Sequence, residues 1–270
     1  MKTIIKRIST VLAFLFVVAV VPAGAQTEED VKAEMKKDKT GTNPLNFTYD
    51  ARLYNEYRWL NTEGDGHQNV TTVELRAPIL DGKWQIRTRL YNVDMAAYLN
   101  DDGMDDIDES GFGDMDIRLM TVPYMKAFAI GVGVELFLNT AEEDALGSGA
   151  TTIAPLVGVG IFNPIGKGSI FLPLYQHKIS VDEDSGRDRV HQGVLDLFLV
   201  KTFAGAKYWG FIDPQVILDY ENSTEFVLME LQAGTMLRKK GQSVYAMPSV
   251  GLGNDRPYDF SLELAWKIVW

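Results

Sequence analysis

Two of the three histidines in this 270-residue chain are the first candidates for chemistry. His177 and His191 flank an acidic loop at 181–189, and Ser180 lies beside them. A histidine next to a serine or a carboxylate can activate a nucleophile, as many hydrolases require. Histidines in acidic loops are mostly solvated, however, and the sequence contains no phosphate-binding loop and no nucleophile elbow. We therefore expect no enzymatic activity, and a hydrolase is the weaker alternative.

Charged side chains form a second, larger set of candidates, because they recur at every second position of apolar segments. In a strand, such positions share one face. The basic members are Arg52, Arg58, Arg76, Arg87, Arg89, Arg118 and Lys178. The acidic members are Asp50, Glu56, Glu74, Asp114, Asp116, Glu135, Asp196, Asp213, Glu230 and Glu263. Interspersed signs fit a structural ladder of ion pairs, whereas a pore lining that selects solutes is the sharper interpretation.

The last thirteen residues show what kind of strand carries these charges. One face is apolar and consists of Tyr258, Phe260, Leu262, Leu264, Trp266, Ile268 and Trp270. The other face is mostly polar and consists of Asp259, Ser261, Glu263 and Lys267. A membrane barrel turns its apolar face to lipid and its polar face to the lumen. The terminal Trp266, Ile268 and Trp270 resemble the insertion signal that the barrel-assembly machinery reads, and we expect that machinery to be a partner.

The N-terminus predicts export. Residues 1–25 have a basic start, an apolar run and a small-residue cleavage pattern that ends at Ala25, which is typical of a signal peptide. We expect cleavage near Ala25, a periplasmic tail at 26–44 and a barrel at 45–270. The mature chain has no apolar segment long enough for a membrane helix, so it can cross a bilayer only as a closed barrel.

Alternating segments predict an all-β fold, an antiparallel up-and-down transmembrane barrel of about twelve strands. Ten or fourteen strands also fit, because boundaries are uncertain by a few residues. The segments are 45–60, 70–80, 84–94, 112–122, 127–138, 151–162, 169–180, 190–203, 208–220, 225–237, 243–252 and 258–270. Short, basic connections alternate with longer, acidic ones. With both termini in the periplasm, the short connections lie there and the long ones outside, which is the usual barrel pattern.

Small inward residues predict where a solute could pass. Gly131 and Gly133 share the inward face of one segment, and Gly158 and Gly160 share that of the next. The missing bulk leaves room in the lumen, unless a large side chain or the N-terminal tail fills it. We expect these glycines to lie on a solute path together with Arg87, Arg89 and Glu135.

The acidic connection at 95–110 is a weak candidate for a surface site for calcium or magnesium. Asn100, Asp102, Asp106 and Glu109 surround Gly103 in a spacing that partly matches a calcium loop. Tyr98 occupies the first ligand position and supplies no carboxylate, so the full motif is not met. A solvated acidic loop is the alternative. No other cofactor is expected.

The run Gly111-Phe112-Gly113-Asp114 follows this loop and begins a strand. It resembles the Gly-x-Gly-Asp element of the phenol-degradation meta-pathway (MetA-like) outer-membrane proteins. Signal peptide, length, strand rhythm and the closing Trp270 extend the resemblance over most of the chain. The resemblance implies a barrel for uptake of aromatic or other hydrophobic compounds.

We therefore expect a channel for small, hydrophobic or aromatic solutes in the outer membrane of a Gram-negative bacterium. A structural or surface-interaction barrel with a plugged lumen is the alternative. The expected partners are a small-molecule solute, outer-membrane lipid and lipopolysaccharide. A net charge of −11 argues against nucleic acid as a partner. The sequence does not define the oligomeric state.

Overall fold

A computed structural model describes residues 29, 40–62, 66–97 and 107–270. Thirteen strands and one turn of 3₁₀ helix at Asp144–Leu146 make up its regular structure. The strands are β1 Asp50–Leu60, β2 Gly66–Ile79, β3 Trp84–Ala97, β4 Ile107–Phe112, β5 Met115–Met125, β6 Ala129–Leu138, β7 Ala150–Phe162, β8 Ser169–Glu183, β9 His191–Phe203, β10 Tyr208–Asp219, β11 Thr224–Met236, β12 Gln242–Leu252 and β13 Tyr258–Val269. Within the described ranges, no helix has the length and apolar character needed to span a membrane.

The strands form one closed antiparallel barrel. Neighbours in sequence pair, except that β4 and β5 both pair with β3, and β1 pairs with both β2 and β13, which closes the barrel. Closure pairs the backbone groups of the twelve wall positions with one another, as a lipid environment demands. β4 and β5 both pair with β3 and share one position, so the barrel has twelve positions and one extra strand. The predicted fold class is confirmed.

A bulge at Gly113 and Asp114 divides β4 from β5. Asn92 of β3 pairs with Phe112, whereas Arg89 pairs with Asp116, so one extra residue is inserted on the β4–β5 side. A bulge of this kind re-aims a side chain. β4 is the strand that the alternation pattern missed, since its residues 107–110 are mostly polar.

Side chains alternate between lumen and outer wall as predicted. On β13, Ser261, Glu263 and Lys267 are buried, whereas Leu264 and Trp266 are exposed on the outside. Tyr258 was expected on the apolar face, and this was wrong. A register shift near Asp259 turns Tyr258 inward, where its hydroxyl lies 2.9 Å from Ser249 Oγ.

Two further positions differ from the sequence pattern. β1 begins at Asp50, not near residue 45, and the residues before it enter the barrel. Trp209, which sits near a strand end as interfacial aromatics do, instead faces the lumen, where its indole N–H donates to Gln232 Oε1 at 2.9 Å. A buried partner for the indole nitrogen explains this inward orientation.

Candidate functional site in the barrel lumen

Glu135 on β6 is the centre of an ion-pair network in the lumen, and its side chain is fully buried. Its carboxylate accepts hydrogen bonds from Arg87, from Arg89 at 3.1 Å, from Arg118 at 2.6 Å and from Gln176 at 2.7 Å. These donors come from β3, β5 and β8, so alternation on four separate strands brings the group together. A buried carboxylate with several charged donors overcomes its desolvation cost, which a single partner would not achieve.

Asp116 on β5 extends this network. It accepts hydrogen bonds from Arg89 Nε at 2.7 Å and from the Tyr91 hydroxyl at 2.5 Å, and Arg87 lies 3.4 Å away. Three arginines therefore share two carboxylates. The positive charges of this wall are largely neutralised within the wall itself.

A second network joins β1 and β2. Arg52 pairs with Asp50 at 2.9 Å and with Glu74 at 3.3 Å, and Arg76 pairs with Glu74 at 2.7 Å. Two cations and two anions balance here. Together the two networks make a wall of paired charges along β1, β2, β3, β5 and β6.

The rest of the lumen wall carries acidic residues that are not part of these ion pairs. Asp196, Asp213, Glu230 and Glu263 lie on β9, β10, β11 and β13 and line the same cavity as the arginines. This cavity has a volume of about 250 Å³. Within the described part of the chain, the acids in the ion pairs of the lumen are Asp50, Glu56, Glu74, Asp116 and Glu135. The four acids on β9, β10, β11 and β13 take part in none of these ion pairs. The lumen is thus electrically asymmetric.

Part of the cavity wall is apolar. Leu172 and Leu174 of β8, Phe198 of β9 and Phe211 of β10 line it. The rings of Phe198 and Phe211 have centroids 4.9 Å apart at an angle of 52°. Sequence reasoning noted the acids but missed this ring pair, because its members look like ordinary strand residues.

The chain segment before β1 lies inside the barrel. Thr40, Asn43 and Leu45 are almost fully buried, at 0%, 2% and 2% exposure. Arg52 donates to the Gly41 carbonyl at 2.7 Å, and Lys267 donates to Thr42 Oγ1 at 3.4 Å. Residues 40–46 are called the lumen segment below. The segment occupies the end of the lumen at which β1 begins.

The four small-residue positions contact this segment and its neighbours. A β-carbon at Gly160 would collide with Leu45 Cδ1, and one at Gly131 would lie 2.5 Å from Met120 Cε and 3.3 Å from Leu45 Cδ2. Leu45 is therefore seated in space that the glycines leave, and it packs in a cluster with Met120, Ala129, Leu156, Phe162, Leu172 and Leu174. The room predicted from the sequence exists, but Leu45 fills the part beside Gly131 and Gly160. The assignment of the glycines to a solute path stays a prediction.

The histidines do not form a catalytic pair with Ser180. His177 and His191 lie on the outer face, with ring centroids 5.2 Å apart, in a cluster with Tyr175 and Tyr220. Ser180 is buried on the lumen side, where its hydroxyl contacts Glu183 and accepts from the Val190 N–H. Alternation separates the residues that proximity in sequence suggested.

Asp114, expected among the lumen charges, instead holds an outer connection. At the bulge its carboxylate accepts from the backbone N–H groups of Thr140, Ala141 and Ser148 at 3.1, 3.2 and 2.7 Å. A β-carbon at Gly113 would lie 3.1 Å from the Leu146 carbonyl oxygen, so the small residue permits this close approach. The Gly-x-Gly-Asp element therefore docks the β6–β7 connection.

The remaining predicted residues are placed as follows. Trp266, Ile268 and Trp270 share the outer face of the closing strand, and the Trp270 N–H donates to the Tyr49 carbonyl at 3.1 Å. Asn100, Asp102 and Asp106 lie outside the described residues, as does the predicted signal peptide at 1–25. Glu109 on β4 pairs with Met95 on β3. The described residues contain no group of three or more acidic, histidine or cysteine side chains arranged for a metal ion.

Comparison with solved structures places this fold among bacterial outer-membrane barrels. The COG4313 outer membrane channel from Pseudomonas putida F1 matches with a TM-score of 0.68 at 13% identity, over 83% of this chain and 95% of that chain. The KdgM porin matches with 0.51 at 8% identity, over 82% and 99%. The transport unit of the autotransporter AIDA-I from Escherichia coli matches with 0.51 at 10% identity, over 91% and 99%.

At these identities the likeness shows the fold alone. The sequence matches no known protein family. It matches no curated protein either. The chain is thus a barrel of the outer-membrane class, and the narrower resemblance to the MetA-like proteins is not confirmed.

Proposed function

We propose that this protein is an outer-membrane channel for small solutes of hydrophobic or aromatic character. The observation that carries the proposal is a cavity of about 250 Å³ inside the barrel, whose lining combines the Phe198–Phe211 ring pair with charged residues. A purely structural barrel has no need of an unfilled, mixed lining, since packed side chains would stabilise it better. The channels and porins among the similar folds support the proposal.

The lumen segment determines how such a channel is closed. Leu45 is 2% exposed, and Thr42 and Pro44 line the cavity. The segment lies outside the strand ladder, and its contacts with the wall include those with Arg52, Lys267 and the Leu45 cluster. We infer that the segment is the removable part of the obstruction, whereas the paired arginine networks are permanent parts of the wall.

Planar-bilayer conductance in potassium chloride tests this proposal. The full chain should show small or infrequent openings, and a variant without residues 26–46 should show larger and steadier ones. Liposome uptake of a small aromatic alcohol should increase in the same order. A variant that folds as a barrel, judged by heat-dependent gel mobility, but neither conducts nor transports would contradict the channel function.

The same experiment addresses the second candidate, a structural barrel with a plugged lumen. The burial of Leu45 is the specific observation in its favour. In a structural barrel, removal of the segment should lower the unfolding temperature without creating conductance, since the remaining arginine networks would still fill the lumen.

A further inference from the structure

Two acidic side chains in the lumen stand directly opposite each other on adjacent strands. Asp213 on β10 pairs in register with Glu230 on β11, and both line the cavity. Directly opposite residues have β-carbons about 5 Å apart, and like charges at this separation destabilise a sheet.

Asp213 is also incompletely partnered. The residue is 8% exposed, and its Oδ1 atom has no hydrogen-bond partner in the described structure. A buried carboxylate oxygen without a partner costs free energy that an external donor would recover. The unpartnered oxygen therefore points to a ligand that supplies a positive charge or an N–H group.

An aromatic surface adjoins this acidic pair. Phe211 is two residues from Asp213 on the same strand and the same face, and the Phe198 ring packs against it at 4.9 Å. Ring faces attract cations, and their apolar area binds hydrocarbon. Carboxylates beside stacked rings match a molecule with a charged nitrogen and an apolar body.

The basic wall does not compete for these carboxylates. Arg89 and Arg118 bind Asp116 and Glu135 on the far side of the lumen, and Arg52 binds Asp50 and Glu74. The arginines therefore form ion pairs within their own part of the wall, whereas the acids on β10 and β11 face the cavity without a basic partner among the described residues.

We propose that Asp213 and Glu230, with the Phe198–Phe211 ring pair, form a subsite for a small organic ammonium ion that carries an apolar or aromatic body. This inference rests on the proposed channel function and makes its substrate class more specific. The ammonium group binds between the two carboxylates, and the hydrocarbon part lies on the rings. A cation there removes the like-charge repulsion between the two strands.

Three probes with the same ring and different charge test the subsite. Benzylamine is cationic at neutral pH, benzyl alcohol is neutral and benzoate is anionic. Thermal melting of the full chain in detergent measures binding, and liposome uptake measures passage. Benzylamine should bind about tenfold more tightly than benzyl alcohol, the range expected for a carboxylate and ring site, and benzoate should bind least.

Substitution identifies the residues responsible. In Asp213→Asn/Glu230→Gln, the preference for benzylamine should disappear while benzyl alcohol behaves as before. The matched control is Glu143→Gln/Asp144→Asn, which removes two exposed acids from the β6–β7 connection and should keep the preference. Equal binding of benzylamine and benzyl alcohol by the unmodified chain, or an unchanged preference in the lumen variant, would overturn the inference and leave the channel intact. If none of the probes is bound, and the variant without residues 26–46 transports none of them either, the proposed channel function itself fails.

Discussion

Asp114 and Ser148 are joined twice: the carboxylate oxygen Oδ2 accepts the Ser148 backbone N–H at 2.7 Å and its hydroxyl at 2.8 Å. With the Thr140 and Ala141 N–H groups on Oδ1, one side chain organises both ends of the β6–β7 connection. We predict that Asp114→Ala loosens residues 139–149, because several backbone donors lose a charged acceptor, at a cost of about 1–3 kcal/mol. Limited proteolysis of the folded protein should then cut this connection first.

The control for this prediction is Asp259→Ala, which removes an exposed partner of Arg256. It should leave the proteolysis pattern unchanged, since exposed ion pairs contribute little. Equal protease resistance of Asp114→Ala and the unmodified chain would show that the docking contacts are unimportant.

Glu135→Gln should be strongly destabilising. The substitution keeps the size of the side chain but removes the charge that Arg87, Arg89 and Arg118 share. Loss of one partner from a buried ion pair costs about 3–5 kcal/mol. Urea unfolding followed by gel mobility should show a clearly lower midpoint, whereas Asp259→Asn, which removes an exposed partner of Arg256, should shift it little.

Substitutions at the glycines should distinguish the effect of the lumen segment on conductance from that of the solute path. Gly160→Leu should displace Leu45 and raise conductance, because a β-carbon there collides with Leu45 Cδ1. Gly158→Trp should lower conductance, since a β-carbon at this position meets only ordinary contacts at 3.4 Å and the larger ring can extend inward. Gly133→Trp is a poorer test, because its β-carbon would lie 2.5 Å from the Leu119 carbonyl oxygen and strain the sheet. Unaltered conductance in folded Gly160→Leu and Gly158→Trp would exclude this sector from the path.

Deletion of Trp270 should reduce the amount of barrel in the outer membrane more than it reduces the stability of the finished barrel. The Trp270 side chain is 67% exposed, and its ring centroid lies 6.2 Å from that of Tyr49, so it contributes little packing. Immunoblotting of membrane fractions measures the first effect and melting of refolded protein the second. Normal membrane levels without Trp270 would show that assembly does not depend on it.

The acidic connection was expected at 95–110, but β3 extends to Ala97 and β4 begins at Ile107, and the connection between them gives a prediction for divalent cations. If calcium or magnesium binds there, millimolar cation should raise the melting temperature by mass action, and chelator should reverse the rise. Asp102→Asn/Asp106→Asn should abolish the response. The same melting temperature under all conditions would indicate a solvated acidic loop.

Most strands of the barrel could be predicted from the sequence, because the alternation of apolar and polar residues has a direct physical cause. Lipid on one side and charge on the other constrain every second residue, so segments such as 169–180 and 243–252 coincide closely with β8 and β12. The pattern fails where that cause is absent. β4 has polar residues on both faces and therefore shows no alternation. The register shift that turns Tyr258 inward depends on pairing with β1, and no residue type in the sequence marks it.

The candidate site was only partly predictable. The inward direction of Arg87, Arg89 and Glu135 follows from alternation, but the division between paired and unpaired acids depends on which strands become neighbours and in what register. Leu45 was not identifiable as a lumen residue, because a short polar segment before the first strand carries no periodic signal. The bulge that redirects Asp114 is likewise a consequence of pairing with β3, not of local composition.

The lumen segment also bridges the seam of the barrel, which is the pairing between β1 and β13. Its Gly41 carbonyl accepts a hydrogen bond from Arg52 of the first strand, and its Thr42 hydroxyl accepts one from Lys267 of the last. One short peptide in the lumen therefore contacts both terminal strands. The seam itself is a continuous ladder from Asp50 and Val269 to Trp59 and Phe260. A segment that leaves the lumen would therefore remove these two contacts from the seam and leave the terminal strands joined by their ladder alone.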